Sequence, residues 1–360
     1  MGAINVKHTG SGADIALSSD GTSLLLDGTA IGGGGGDPDL YRDNASSATT
    51  PSATGTNAVA IGNNSVSSGT DSMAIGFAAT VQSGGTDSSA LGTRSQIGSN
   101  ATGATAIAKS YASGADSFAA AITNNGSSYG ATGANGVAIG QLAKAGSAGQ
   151  SVAIGGSCIA SGTSSIAISG YFASATGSGS LAIGQYAAAS GINSISIGYR
   201  SKANTQGKIA LSAGATSGIG SGAGHQQRGI YILKGATTDA TQKVLTGLGN
   251  TADASNSWVL ENNASHAFSG TVIARQDGTD GDDYAAWEVK GAVMRADTAA
   301  TTVVGVAIVN SLYHTAGAAA WVVDITANTT LGSAEVKVTG AAATNVDWVT
   351  TIDTSEVVNA

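Results

Sequence analysis

A short signature returns eleven times between residues 59 and 212, and its spacing limits what this chain can fold into. It opens as Val59-Ala60-Ile61-Gly62 and Met73-Ala74-Ile75-Gly76, weakens at Thr105-Ala106-Ile107-Ala108 and Phe118-Ala119-Ala120-Ala121, and closes at Ile209-Ala210-Leu211-Ser212. Most copies lie 14 or 15 residues apart, with outliers of 13, 16 and 19. Ankyrin, tetratricopeptide and propeller units need ~33 residues or more, so this period excludes them. It suits one coil of a β-solenoid, with two short strands and two turns. Stacked at the ~4.8 Å inter-strand spacing, such coils make a rod section of roughly 50 Å. The recurrent Gly supplies the φ > 0 turn that a side chain resists, and Ser and Asn at the corners hydrogen-bond the local backbone.

The second position of the signature is Ala in ten copies and Ser in one, while the third is Ile or Leu in ten of eleven. Strand side chains alternate between faces, so these positions point in opposite directions. A solvent-facing slot would tolerate Lys, Thr, Glu or Gln. Its restriction to small residues predicts close packing against a neighbouring element, with both faces of the strand covered. A coil this short has no spare chain to cover its own second face. The expectation is self-association about a long axis, as a homotrimer, through Ala60, Ala74, Ala138, Ala153, Ala167, Ala182, Ser196 and Ala210. A monomeric solenoid is the alternative.

Composition narrows the rest. With 42% hydrophobic residues, 11% charged residues and 2 Pro, the chain does not read as disordered. Its 54 Gly follow no triplet period, which excludes collagen, and the Gly, Ser, Thr and Asn content disfavours helices. A net charge of −8 with scattered Lys and Arg offers no basic stripe for nucleic acid. Cys158 stands alone, so no disulfide framework or zinc spacing exists. No apolar run approaches the ~20 residues of a membrane span, and Met1–Gly10 lacks a secretory pattern, so assembly in a cytoplasm without membrane insertion is expected.

The flanks differ from the repeat. Residues 1–36 read as a short β-rich attachment segment and residues 37–56 as a linker containing Pro38 and Pro51. After residue 212, a Gly-rich linker over 213–228 precedes a 229–360 region that carries all four Trp. Seven alternating segments, at Gly229–Gly235, Ala267–Arg275, Ala285–Arg295, Thr302–Val309, Ala320–Ile325, Ala334–Thr339 and Asp347–Ile352, predict a β-sandwich or jelly roll.

Repeats such as Asn57-Ala58-Val59-Ala60-Ile61-Gly62-Asn63-Asn64-Ser65 and Gln150-Ser151-Val152-Ala153-Ile154-Gly155 resemble the head repeats of trimeric autotransporter adhesins, the YadA-like heads. Over residues 57–212 the resemblance implies left-handed parallel β-rolls in which three chains pack side by side. No export signal, heptad stalk or membrane β-barrel accompanies them in this sequence. The stretches Phe268-Ser269-Gly270-Thr271-Val272, Trp287-Glu288-Val289-Lys290-Gly291 and Asn345-Val346-Asp347-Trp348 resemble C-terminal β-domains of phage tail-fibre and virion structural proteins. The fold expected is therefore all-β: a trimeric left-handed β-roll shaft followed by a β-sandwich tip.

Chemistry-bearing patterns are few. The acidic cluster Asp277, Asp280, Asp282 and Asp283 suggests calcium, but an EF-hand loop counted from Asp277 has Asp282 where Gly is required, so a solvated hairpin turn is the better reading. His8, His225, His266 and His314 are far apart and adjoin no nucleophile motif. The repeat holds only Asp71, Asp87 and Asp116 as acids, too few to pick out the carboxylate pair of glycan hydrolysis. No phosphate loop, cofactor or metal site is expected, and the chain reads as a non-enzyme. Trp287, Trp321 and Trp348 alternate with aliphatics and belong in a core, whereas Tyr284 and Tyr313, beside turns, are the candidate receptor contacts. Cys158 reads as a small buried hydrophobe. The function expected is a phage virion tail fibre that holds a host surface glycan or protein by avidity and docks to other virion proteins through its N-terminal segment. A decoration or adaptor fibre without receptor binding, a bacterial trimeric adhesin and a polysaccharide-degrading tailspike are the rivals.

Overall fold

Two parallel ladders run side by side along the repeat. One stacks the eleven signature strands from Val59–Ile61 to Ile209–Ser212, and the other stacks eleven two-residue strands from Ser52–Ala53 to Lys202–Ala203. The computed structural model describes residues 49–121, 128–146, 148–214, 224–278 and 282–359, and the backbone of four short strands nearer the N-terminus. Register holds through the weak copies, where Ala90 pairs with Ala106, Ala106 with Ala119, and Ala119 with Ala138. The first coil begins within the segment read as a linker, since Ser52 and Ala53 pair with Val66 and Ser67. Four antiparallel strands, Ile4–Val6, Ile15–Ser19, Leu24–Leu26 and Thr29–Ala30, form a separate sheet.

The alanine slot faces the opposite way from the sequence expectation. Ala74, Ala138, Ala153, Ala167, Ala182, Ser196 and Ala210 are 0% exposed within a single chain, and Ala60 in the first coil is half-buried. They fill the coil interior, several of them in one cluster with Ala79, Val81, Ala143 and Ala160 from the other ladder. The interior also holds Val81 and Ile97 from the second ladder, both 0% exposed, and the small signature residues leave the room that those side chains fill. The trimer-packing role assigned to these positions is thus corrected. The outward row is instead aliphatic: Ile139, Ile168, Ile183 and Ile197 are 36–38% exposed.

Several polar groups inside the coil are spent locally, while the Ser180 and Thr205 hydroxyls are buried without a hydrogen-bond partner. Ser72, Ser165 and Ser194 hydroxyls donate to the carbonyls of Gly69, Gly162 and Gly191 at 2.6–2.7 Å. At Gly76, with φ +131°, a Cβ would come 2.6 Å from the backbone of Gly92, so the stacked corner admits no side chain. Asp71, Asp87 and Asp116 occupy one corner row with φ of 51–55°, a left-handed conformation that Asn and Asp accept more readily than most residues.

The tip is a two-layer β-sandwich. Its larger sheet orders the strands Val303–His314, Tyr284–Arg295, Ala264–Gln276, Val346–Val358 and Gln226–Thr237, all antiparallel. In the smaller sheet, Ser333–Thr339 is flanked by Val322–Asn328 on one side and by Lys243–Val244 and Trp258–Val259 on the other. Trp258, Trp287, Trp321, Trp348, Tyr231 and Phe268 fill the core between the layers with Val336, Val338 and Ile352. Shaft and tip share one continuous sheet, because Ile209, Ala210 and Leu211 pair with Ile230, Gly229 and Arg228.

A buried polar network closes that junction. Lys208, 4% exposed, donates from Nζ to Glu356 Oε2 at 2.8 Å. Gln227 Nε2 donates to the same oxygen at 2.6 Å, while Tyr231 and Thr354 hydroxyls donate to Glu356 Oε1 at 3.0 and 2.9 Å. Burial pushes the Glu356 carboxyl up, but Lys208, His266 and the hydrogen bonds from Lys208 and Gln227 outweigh it and hold it at about 2. Burial also lowers His266 to about 4, against the pull of Glu356 4.0 Å away. Its Nδ1 accepts from Trp258 Nε1 at 3.2 Å, which fixes the ring as a neutral structural group.

Candidate functional site

Alternation in the tip's large sheet sends Ala274, Ala285, Trp287 and Trp348 inward and Asp347, Val349, Ile273, Arg275 and Tyr284 outward. Register then sets these outward groups in rows. Val349 pairs with Ile273 and Lys234, and Arg275 pairs with Asp347 and Tyr284.

The sequence candidates Tyr284 and Tyr313 come together at one end of this face. Their rings stack at 5.3 Å with 24° between planes, and they are 45% and 53% exposed. The hydrogen bond to Tyr313 raises the Tyr284 phenol above its ordinary value of 10. Thr315 braces the platform: its hydroxyl donates to Asp283 Oδ1 at 2.6 Å and accepts from the Tyr284 amide at 3.2 Å. Asp283 is therefore committed to the turn, and Asp282 faces Arg275 at 3.5 Å. Asp280 and His8 lie outside the described residues. His225 and His266 are buried, and Cys158, 0% exposed, donates from Sγ to the Ser169 carbonyl at 3.3 Å.

Beside the platform lies a groove of about 680 Å³. It opens where residues 243–249 cross the edge of strand Gln226–Thr237, tied by a two-way backbone bridge between Lys234 and Thr246 at 2.8 and 3.1 Å. Ile273, Val349 and Leu248 give it apolar walls, and Lys234, Lys243, Arg275 and Asp347 bring charge to it. Reasoning from sequence missed this site. Lys234 and Lys243 stand apart in the chain, and only the crossing segment joins them.

A second aromatic cluster sits on the shaft, also unremarked in the sequence. Phe172 and Tyr186 stack at 5.7 Å, Tyr171 and Tyr199 meet them edge-on, and the Arg200 guanidinium lies 5.4 Å from the Tyr186 ring centre. These side chains lie at or just beyond the ends of successive signature strands.

The repeat geometry meets an independent match: the YadA head domain repeat family aligns with residues 53–79, 131–157, 160–187 and 189–207. These four segments of the shaft match YadA head repeats. No curated relative matches the chain. Among solved structures it is similar to the tailspike protein gp49 of Acinetobacter baumannii bacteriophage Fri1, a capsular polysaccharide depolymerase. Identity there is 9%, covering 82% of this chain and 47% of that one, at a TM-score of 0.26. It is also similar to the tailspike protein of Acinetobacter baumannii phage AM24, with 11% identity, 82% and 53% coverage and a TM-score of 0.20. The chain spans about half the length of these proteins. Because one of them is a depolymerase, the non-enzyme expectation is corrected and withdrawn. Likenesses this distant place no catalytic residue in this chain. Among the described residues, no helix is long and apolar enough to cross a membrane.

Proposed function

We propose that the chain is a homotrimeric fibre of a phage virion that attaches the particle to a host cell surface. In this reading the N-terminal strands dock to other virion proteins, the YadA repeats form the shaft, and the tip meets the host. The outward aliphatic row carries the proposal. The coil interior is already closed by alanines, yet Val59, Ile107, Ile139, Ile166, Ile168, Ile183 and Ile197 remain 36–40% exposed along the shaft. A continuous apolar strip of that length favours burial against identical strips, since each Å² removed from water is worth ~25 cal/mol. Three chains then present three tips on one rod, and avidity converts weak single contacts into firm attachment.

The mass of the purified chain in solution tests the assembly. Light scattering is expected to give three times 34.6 kDa, and a persistent monomer overturns the reading.

A further inference from the structure

Cations in the tip are almost all accounted for by their own neighbours. Arg228 pairs with Asp353, Arg275 with Asp282, Lys290 with Glu288 and Lys337 with Glu335, while Arg295 donates to the Leu260 carbonyl. Lys234 and Lys243 are the exceptions: among the described residues, neither ammonium has an acidic or carbonyl partner. Both line the groove beside the tyrosine platform. Lys234, Lys243 and Arg275 thus line one concavity against the single carboxylate of Asp347, an excess of positive charge that, on a chain of net charge −8, calls for an anion from outside.

The groove is shaped for more than a free ion. Its third cation, Arg275, is held only loosely by an Asp282 that is 93% exposed. Ile273 and Leu248, 53% and 47% exposed, form apolar walls that suit the C–H face of a sugar ring. Two glycines let the crossing segment pack closely on the strand edge. A Cβ at Gly235 would lie 3.0 Å from Leu245 and 3.8 Å from Lys243 Cε, and one at Gly249 would lie 3.5 Å from the Gly235 Cα. On the far side of Arg275, Tyr284 and Tyr313 extend the surface with stacked rings on which a second sugar can rest.

We propose that this groove binds an anionic sugar unit of a surface polysaccharide, with Lys234 and Lys243 holding its acidic group and Arg275 guarding the lip. The inference rests on the reading of the tip as the host-contacting end, and it adds the chemical class of the ligand. Charge-assisted hydrogen bonds of this kind carry roughly tenfold or more in affinity each.

Calorimetric titration of the full-length protein decides it, with oligogalacturonate as a carboxylated probe, dextran sulfate as a sulfated one and maltooligosaccharide as a neutral control. The expected result is binding of an anionic probe, no binding of the neutral one, and weakening with added salt. Preference between the two anionic probes identifies the acidic group. Lys234→Ala and Lys243→Ala should each cost about tenfold or more in affinity. Lys290→Ala, at a paired cation elsewhere on the sheet, should cost nothing. Equal binding of the neutral probe, absence of anionic binding, or lysine variants that bind like wild type overturns the inference. Adsorption of labelled protein to host cells judges the parent reading separately. Wild type that adsorbs no better than the double lysine variant removes the groove alone. Wild type that does not adsorb removes host attachment, while the titration still decides the groove.

Discussion

Replacing Glu356 by Gln should loosen the joint between shaft and tip more than any other single change of one functional group. The carboxylate accepts hydrogen bonds from Lys208, Gln227, Tyr231 and Thr354, and the side chains of Lys208 and Glu356 are 4% and 2% exposed. Glu356→Gln leaves the Lys208 ammonium buried without its counter-charge. Breaking such a pair from one side costs ~3–5 kcal/mol, because the surviving ion has lost water and gained nothing. The loss is local, since the network spans the pairing of Ile209–Leu211 with Arg228–Ile230. Amide hydrogen exchange at those residues is therefore the assay. A drop of ~3 kcal/mol in local opening free energy means exchange faster by a factor of over ~100. The double variant Lys208→Met/Glu356→Gln should recover most of the protection, as apolar replacement of both partners removes the stranded charge. Acceleration below about fivefold, or a double variant as labile as the single one, would refute the reasoning.

Acid should weaken the same joint in two windows. His266 sits at about 4 against an ordinary 6.5, so the unfolded chain takes up a proton that the folded one refuses; this stability is complete above pH 6.5 and is lost as pH falls toward 4. Glu356 at about 2 against 4.5 contributes stability present above pH 4.5 and lost as pH falls through 2. Each difference is 2.5 units (6.5 − 4 and 4.5 − 2), or about 3 kcal/mol, readable in denaturant midpoints followed by tryptophan fluorescence. Inside the coil, Ala153→Leu should destabilise by ~1–3 kcal/mol through overpacking, measured by thermal unfolding; an unchanged midpoint would show that the interior has room. Gly76→Ala meets the backbone of Gly92 and a φ of +131°, and should cost at least ~1 kcal/mol in the same assay. Ile168→Lys with Ile183→Lys should lower the mass in solution without unfolding the coil, because both side chains already face outward.

The period and the turn glycines of the repeat, together with the seven alternating segments of the tip, were enough to determine an all-β chain with a solenoid and a sandwich. Strand ends shifted by up to six residues, as at Val346–Val358 against the expected Asp347–Ile352. Alternation alone could not tell which face of Val-Ala-Ile-Gly is inside, since it fixes only that Ala and Ile are opposed. The fold decided that: Ala faces the second ladder, whose larger Val81 and Ile97 share the interior, while the signature Ile side chains face out. Lys208 was legible in principle: most strong copies carry Ser just before the signature, and a lysine in that interior slot demands a partner. Its partner lies 148 residues away, and only the folded sheet brings Glu356 to it. The tyrosine pair was visible as two aromatics beside turns. The groove was not, because Lys234, Lys243 and Arg275 meet only where one segment crosses a sheet edge. Local sequence carries the forces that act within a strand or turn, whereas the junction and the groove arise from charges and surfaces that the chain brings together from afar.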